Sequence, residues 1–453
     1  MAPTLAMSVT GVQPARLIGR AAPLAYVLAA VGIALVGYAF VRLTAQFAHA
    51  GSVYAYIGRT LGPRAGFFAA WALMCTYVVF PPVSVLGMAV FSQAFVVHSG
   101  IADSVDWLPL GLVAWALTGA LAYRGIRLTA GSIIVVEIVS LALIAALVVV
   151  IFVKLGVGSA PGDASLNADF LSLPPGAGFS AVALAATFGF LSYGGFESAM
   201  SVGEESHQPT RAIPWSIVAA VAFGGVFYGV CITAQTLGFG TDEEGIERFA
   251  SSGAPLGDLG RAYVGSAMAY LLDLAAVLSA LGAGLAGVAV ASRTIFALAR
   301  DGLLPGRLAA VSPRQGTPGP AVLASMALTL VLLLAFGLGS TRAIDAFFYL
   351  ATIGVLSLLV LYILTSVSAL KLLFTKTGRV GLWEYPLPLA GIAVAGYVLY
   401  RNLVPVPAHP FNLFPYIVGG WLLLGAVLSY AVPAIAERVT RGLGLARGAP
   451  TIP

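Results

Sequence analysis

Charged side chains are scarce in this sequence of 453 residues, where Asp, Glu, Lys and Arg together make up 9%. Soluble domains carry about a quarter of their residues as charges, so this chain has too few to cover a water-facing surface of its size. Only two cysteines occur, Cys75 and Cys231, both within apolar stretches, which excludes a secreted disulfide scaffold. A hydrophobic content of 59% excludes a disordered chain. The sequence therefore predicts a polytopic membrane protein rather than a soluble enzyme.

Long apolar stretches recur from one end of the chain to the other. A helix needs about 20 apolar residues to cross a bilayer. Eleven stretches are predicted as full spans: 23–43, 66–95, 108–121, 131–153, 179–202, 212–239, 265–298, 319–338, 343–373, 387–400 and 415–435. Residues 1–13 are also apolar but reach only about halfway across the hydrocarbon at 1.5 Å per residue. We interpret them as span 1 without its first half, or as the product of a start codon placed too far downstream.

The basic residues predict the orientation. If the segment after Leu43 is cytoplasmic and the sides alternate, most of the 23 Lys and Arg fall on the cytoplasmic side, as the positive-inside rule requires. The C-terminus is then cytoplasmic, and the membrane is the cytoplasmic (inner) membrane. The longest outside loop, 240–263, is acidic and is predicted to be solvated. Basic residues scattered singly between spans also make nucleic-acid binding untenable, despite a pI near 9.2.

Four carboxylates lie inside predicted spans: Glu137, Glu197, Asp273 and Asp345. Charged groups at such depth are costly, and each is a functional hypothesis. Asp345 is close to a span end and is expected to be solvated. Asp273 and Glu137 are deeper, and each is either a hydrogen-bonded packing residue or part of a proton path.

Glu197 follows a weak point in span 6, where the sequence of residues 188–198 is FGFLSYGGFES. Adjacent glycines beside Ser and Tyr favour an unwound backbone, which a membrane tolerates only where it is packed in protein or lines a cavity. Close helix packing through small residues is the alternative. A matching weak point, Ala2-Pro3-Thr4, occurs five spans earlier, and such pairs mark inverted-repeat transporters.

Paired breaks of this kind suit a zwitterion. Free amides near Thr4 and Leu5 would present the positive end of a helix dipole to a carboxylate, and carbonyls at the end of the first half of span 6 would receive an ammonium group. The predicted substrate-binding residues are Ala2, Pro3, Thr4, Leu5, Phe190, Leu191, Ser192, Tyr193, Gly194 and Gly195. An amino acid carries both the carboxylate and the ammonium group that these two helix ends would bind.

Three stretches carry a resemblance to known transporters. They are residues 50–58 (AGSVYAYIG) with 61–67 (LGPRAGF) and Trp71, residues 195–197 (GFE) with 203–205 (GEE) and 208–214 (QPTRAIP), and residues 291–293 (ASR) with 299–305 (ARDGLLP). In this order they resemble the amino acid, polyamine and organocation (APC) permease superfamily, in its bacterial branch, over essentially the whole chain. The resemblance implies an all-α integral membrane protein that works by alternating access.

The implied fold has twelve spans in a five-plus-five inverted repeat, with spans 1 and 6 broken. Spans 1–5 would occupy residues 1–153, spans 6–10 residues 179–373, and spans 11 and 12 residues 387–435, followed by a cytoplasmic tail at 436–453. Sodium-driven transporters of this fold use hydroxyl side chains along span 8, whereas here Ser279 is followed only by Ala, Leu and Gly through residue 287. We therefore expect proton coupling or exchange. Glu197 is the first coupling candidate and Glu137 the second, although Glu197 could equally brace the break.

Charged residues on the predicted cytoplasmic side suggest a gate. Glu204, Glu205 and Arg211 are expected to pair with Arg64 or Arg300, although ordinary surface ion pairs would show the same pattern. The four histidines, His49, His98, His207 and His409, all lie near span ends, so neither a metal site nor a histidine relay is indicated.

The sequence thus predicts a secondary transporter for a small-molecule substrate, with a proton and membrane lipid as further partners and no cofactor, metal or catalytic residue. A polyamine or simple amine permease is the alternative, because Glu197 and Asp273 could line an acidic cavity. A nontransporting subunit or receptor is more remote. A membrane enzyme would need a polar catalytic cluster in a sizeable loop, and the sequence offers none.

Overall fold

The structure is a computed structural model that describes residues 2–46, 53–125, 130–162, 164–205, 208–300, 304–312, 317–375 and 381–431, with backbone only at 130, 201–205 and 209. Within these ranges all regular secondary structure is helical. The α-helices are α1 (Pro3–Val9), α2 (Val12–Ile18), α3 (Ala22–Thr44), α4 (Val53–Leu61), α5 (Pro63–His98), α6 (Trp107–Tyr123), α7 (Ala130–Gly156), α8 (Phe179–Tyr193), α9 (Pro209–Phe239), α10 (Glu243–Ser251), α11 (Pro255–Tyr263), α12 (Ser266–Arg300), α13 (Gly319–Leu338), α14 (Ala343–Thr375), α15 (Pro386–Arg401) and α16 (Phe414–Ala431).

Ten helical segments of the described chain are long and apolar enough to cross a membrane. The first, Pro3–Thr44, contains α1, α2 and α3, and the shorter apolar helix α6 coincides with the predicted span at 108–121. The predicted span at 319–338 matches α13 at both ends. The last predicted span and the tail at 436–453 extend beyond the described residues. The prediction of an all-helical, multi-pass membrane protein is confirmed.

The first predicted span differs from the structure. Residues 1–13 were expected to form one helical piece, but α1 ends at Val9, and α2 continues to Ile18 after a turn at Thr10 and Gly11. The expected boundary at residue 13 is therefore wrong. Hydropathy cannot detect this turn, because residues on both sides of it are buried and mostly apolar.

In the segment 240–263, the acidic residues predicted to form a solvated face are exposed, but the segment also has structure that the prediction did not include. It contains α10 and α11, and most of α11 is buried, including Leu256, Leu259 and Tyr263. The acidic residues that suggested a solvated face lie in the first turns of α10. Burial in α11 follows from its apolar positions three and four residues apart, which form one face of a short helix.

The chain divides into two compact units. The first consists of Met1–Leu28, Tyr77–Ser192 and Val226–Gly354, and the second of Ala29–Thr76, Tyr193–Gly225 and Val355–Pro453. In the first unit, α12 packs against α1, α6, α7, α11 and α13. These units do not coincide with the predicted repeats at 1–153 and 179–373, and the repeat boundaries and spans 11–12 at 387–435 stay predictions.

In the second unit, two tryptophans join α5 to α16. The indole nitrogen of Trp71 donates to the carbonyl of Trp421 at 2.8 Å, and that of Trp421 donates to the carbonyl of Trp71 at 3.0 Å. Their rings stack with centroids 4.6 Å apart. Gly425 lies one turn further along α16, and a Cβ atom there would collide with the ring of Trp71. A glycine is required because the reciprocal hydrogen bonds hold that ring in place.

The contact between Gly425 and Trp71 generates a stability prediction. We expect Gly425→Ala to lower the free energy of unfolding by about 1–3 kcal/mol, because an added methyl in a packed interface forces side chains from their preferred positions. Gly420→Ala is the matched control, since nothing lies within 4 Å of a Cβ at this position in the same helix. Thermal unfolding of the purified variants in detergent is the measurement. Equal midpoints for the two variants would contradict the assigned contact.

Candidate functional site

The beginning of α1 meets two polar side chains from other helices of the first unit. The amide of Thr4 donates to Oε1 of Glu137, in α7, at 2.9 Å. The amide of Leu5 donates to Oγ of Ser279, in α12, at 3.3 Å. Pro3 has no amide hydrogen, and it occupies the first position of the helix, where none is needed. The first turn of α1 is thus held by a carboxylate and a hydroxyl.

The expectation that these amides are free is therefore wrong, because side chains from α7 and α12 already accept from them. The hydroxyl of Thr4 is different: it is buried and has no hydrogen-bond partner among the described residues. Glu137 is half-buried, and no ion pair joins it to a basic side chain within the described part of the chain. Thr4 therefore brings together an unpartnered hydroxyl and an amide occupied by a carboxylate.

The end of α8 is joined to α1 by a buried network of hydroxyl groups. Thr10 Oγ1 lies 2.9 Å from Ser192 Oγ and 2.6 Å from Tyr26 Oη. The carbonyl of Ala6 lies 2.8 Å from the Thr10 hydroxyl and that of Phe188 lies 3.0 Å from the Ser192 hydroxyl. Because each hydroxyl has a single hydrogen, one of the two donates to its carbonyl and the other donates across to its partner hydroxyl. Two of the predicted binding regions, residues 2–5 and 190–192, therefore belong to helices that are directly hydrogen-bonded, and no sequence signal marked Tyr26 or Thr10 as part of this link.

The second unit contains the rest of the predicted break. Helix α8 ends at Tyr193, and Gly194 and Gly195 connect it to a 3₁₀ helix at Phe196–Glu205. Gly195 has φ of +104°, a conformation that side chains rarely adopt. The interruption expected from the adjacent glycines is present.

The side chain of Glu197 forms hydrogen bonds with the backbone at this interruption. Its carboxylate oxygens accept from the amide of Gly195 at 3.0 and 3.2 Å, and the hydroxyl of Tyr362 donates to Oε2 at 3.4 Å. Tyr362 in turn packs against Phe40 and Phe196, and the three ring centroids are 5.2–6.0 Å apart. Of the two roles considered for Glu197, these contacts favour bracing, and its coupling role stays a prediction.

The predicted gate residues are only partly described. The side chains of Glu204 and Glu205 lie outside the described part of the chain. Arg211 is exposed at the beginning of α9, and Arg300 is exposed at the end of α12. The Arg64 guanidinium lies 4.8 Å from the centroid of the Tyr430 ring, which is a cation–π contact. The gate stays a prediction.

Two carboxylates have partners that the sequence did not reveal. Asp345 was expected to be solvated, but it accepts from Arg342 Nε at 2.8 Å and lies 3.5 Å from Arg16. Asp273 contacts His98 Nδ1 at 2.5 Å, although the sequence placed no basic residue near it. The sequence gives no local signal for this pairing, because His98, at the end of α5, and Asp273 are 175 positions apart. Among the described residues, no group of three or more His, Cys, Asp or Glu has the geometry of a metal site.

The comparisons with known proteins agree with this helical architecture. Residues 7–395 match the family described as "Amino acid permease". The chain belongs to this family, and so to the amino acid, polyamine and organocation permease superfamily.

Characterised relatives are bacterial transporters with different substrates. The chain is 27% identical over 326 residues to the methylthioribose transporter of Bacillus subtilis, covering 68% of this chain and 66% of that protein. It is 24% identical over 332 residues to the low-affinity putrescine importer PlaP of Escherichia coli, covering 72% and 71%. It is 25% identical over 355 residues to the branched-chain amino acid permease BcaP of Bacillus subtilis, covering 75% and 71%. The protein is accordingly a permease of small molecules.

The hydroxyl network generates a second stability prediction. We expect Thr10→Val to lower the free energy of unfolding by about 1–2 kcal/mol, because it leaves the buried hydroxyls of Tyr26 and Ser192 without their shared partner. Tyr26→Phe removes one outer hydroxyl of the network and leaves the contact between Thr10 and Ser192 in place, so it is expected to cost about half as much. The control is Thr329→Val, since among the described residues the Thr329 hydroxyl bonds to the carbonyl of Ser325, in its own helix. The measurement is thermal unfolding of the three variants in detergent. A midpoint for Thr10→Val as high as that of Thr329→Val would contradict the predicted role of the Thr10 hydroxyl.

Proposed function

We propose that this permease is a secondary active transporter that moves amino acids across the cytoplasmic membrane by alternating access. The observation that carries the proposal is the interruption of a membrane helix at Gly194 and Gly195, closed by the buried carboxylate of Glu197. Non-helical backbone at membrane depth marks a substrate pathway in transporters built from inverted repeats. Membership of the amino acid permease family supports the same function.

The proposal includes the finer features implied by the sequence. Twelve spans in a five-plus-five inverted repeat would place the beginning of α1 and the end of α8 at corresponding positions, and Thr10 and Ser192 already link these two helices. The C-terminus would be cytoplasmic, with Arg64, Arg211 and Arg300 on the same face. Binding of substrate would then be controlled from that face by the predicted gate.

In this proposal, Glu137 and the substrate carboxylate share one partner. The amide of Thr4 is the group that an amino acid carboxylate would bind, and Glu137 accepts from it in the present structure. Substrate would have to displace Glu137, and a displaced carboxylate in an apolar span gains from binding a proton. Exchange of partners at Thr4 would therefore link amino acid binding to protonation, which favours proton coupling through Glu137.

One observation favours a second candidate function, transport of amines. The carboxylate of Glu137 occupies the position at which the carboxylate of an amino acid substrate would bind. An amine has no carboxylate, so it would leave the bond between Glu137 and Thr4 intact and use the negative charge of Glu137 as its counterion. The putrescine importer among the relatives shows that the family includes such substrates.

The two candidates predict opposite effects of Glu137→Gln. For an amino acid, the substitution removes a competing charge, so exchange of L-leucine at low concentration without a proton gradient is expected to be retained or raised, while proton-driven accumulation is lost. For an amine, it removes the counterion, so exchange of isoamylamine or putrescine is expected to fall by at least about tenfold, the loss of about 1.4 kcal/mol of binding. The measurement is substrate exchange across proteoliposomes without a proton gradient, with both substrates tested on both proteins.

Glu244→Gln is the control, since the side chain of Glu244 is 79% exposed in α10. It should leave both exchange rates unchanged. Loss of leucine exchange in Glu137→Gln without a proton gradient, with no amine transport by the native protein, would refute the competition between Glu137 and substrate. Absence of uptake for amino acids and amines alike would refute the proposed function.

A further inference from the structure

A cluster of three titratable residues lies in the first unit, apart from the candidate site. His98 is the last residue of α5, Asp258 lies in α11 and Asp273 in α12. Nδ1 of His98 is 2.5 Å from Oδ2 of Asp273, and Nε2 is 3.1 Å from Oδ1 of Asp258. Both ring nitrogens therefore face carboxylate oxygens.

This geometry requires an additional proton. A neutral imidazole has one N–H group, and an ionised carboxylate only accepts hydrogen bonds. With a neutral ring and two ionised carboxylates, one of the contacts would place two lone pairs against each other. Both contacts are hydrogen bonds only if the second ring nitrogen or one carboxylate carries a further proton. The three residues together thus form a group that binds a proton.

Exposure falls steadily across the three side chains. Asp258 is 41% exposed, His98 is 9% exposed and Asp273 is 2% exposed. Ser252 fixes the outer member, because its hydroxyl donates to Oδ2 of Asp258 at 2.5 Å and accepts from the amide of Ala254. The contacts thus form a continuous path from solvent to a buried carboxylate.

Gly257 allows α11 to pack closely against His98 and Asp273. A Cβ atom there would lie 2.5 Å from Oδ1 of Asp273 and 2.8 Å from Cε1 of His98. Any larger residue would separate α11 from the pair. The close approach of α11 to α12 is therefore a requirement of the three-residue contact.

Other charged groups on the neighbouring helices have their own partners. Lys154, at the end of α7, donates to the carbonyl of Tyr263 at 2.7 Å. Arg248, in α10, donates to the carbonyl of Phe239 at 2.9 Å. Arg261, in α11, is exposed, and α1, α6 and α13 contain no charged residue. Within the described chain, Asp258 and Asp273 are the charged groups that act on His98.

We propose that His98, Asp258 and Asp273 form a proton-binding site that admits a proton from the aqueous phase to α12 and sets the dependence of transport on external pH. A proton that arrives at Asp258 passes to Nε2 of His98, so that both ring nitrogens carry a proton, with Nε2 donating to Oδ1 of Asp258 and Nδ1 donating to Oδ2 of Asp273. The net charge of the three residues changes from −2 to −1. The basic-residue pattern puts this end of α5 on the non-cytoplasmic face.

Helix α12 connects this site to the candidate substrate site. Asp273 and Ser279 lie six residues apart in α12, about 9 Å along the axis, and Ser279 accepts from the amide of Leu5. A change of charge on His98, in contact with Asp273, thus acts on the helix that holds the beginning of α1. Only this last step, from proton binding to transport, rests on the proposed function.

The proton site is tested directly by nuclear magnetic resonance of ¹⁵N-histidine-labelled protein in detergent, without substrate. We expect one histidine with both ring nitrogens protonated at pH 7.5, and loss of that signal in His98→Gln. Conversion of the signal to a singly protonated ring is expected in Asp258→Asn and in Asp273→Asn. His409→Gln is the control, since His409 is exposed. A singly protonated His98 in the native protein at pH 6.5–7.5 would overturn the proposal.

The role in transport is tested by uptake into proteoliposomes. Asp273→Asn is expected to reduce proton-driven accumulation by at least tenfold while exchange of substrate across the membrane continues. If this variant does not fold, Asp258→Asn, at the exposed end, is expected to shift the pH profile of uptake by about one unit. An unchanged profile in the folded variants would overturn the role in transport. Normal proton binding in a protein that moves no substrate would instead count against the proposed function alone.

Discussion

Hydrogen-bonding of backbone amides away from water is the constraint on which the rest of this structure depends. In hydrocarbon an unpaired amide costs several kcal/mol, so each irregular point of a membrane helix needs a side-chain acceptor. Glu137 supplies one for Thr4, Ser279 for Leu5 and Glu197 for Gly195. The acceptors come from α7, from α12 and from within the break itself. The beginning of α1 and the interruption at Gly194 and Gly195 are therefore stabilised by specific polar side chains that replace the missing helical bonds.

The same constraint explains why carboxylates occur in apolar spans. A buried charge is tolerated when it is hydrogen-bonded or paired, and Glu197 and Asp273 satisfy this condition in different ways. Glu197 accepts from a backbone amide and a tyrosine, whereas Asp273 contacts an imidazole. The first arrangement stabilises a local shape. The second contains an exchangeable proton, and it also reaches solvent through Asp258.

Local patterns in the sequence predicted the helices and the interruption at Gly194 and Gly195, because hydropathy and glycine content act over a few residues. They did not predict the turn at Thr10 and Gly11, which is apolar on both sides. Nor did they predict that α11 is buried or that His98 meets Asp273. Such contacts join distant parts of the chain, and the depth of a residue along a span does not reveal its partner on another helix. The family resemblance supplied the class of protein without supplying these contacts.

Occupied amides change how substrate recognition has to work in the proposed function. A helix end with free amides would bind a carboxylate by adding contacts, whereas a substrate carboxylate at the beginning of α1 would have to replace Glu137 as the acceptor for Thr4. The net gain would be the difference between two similar hydrogen bonds, so it would be small, and the displaced Glu137 would become part of the binding equilibrium. An amine would need no exchange, and the carboxylate of Glu137 would contribute its full charge. The contact between Thr4 and Glu137 would therefore couple the binding of an amino acid to a titratable group, whereas for an amine it would supply the counterion.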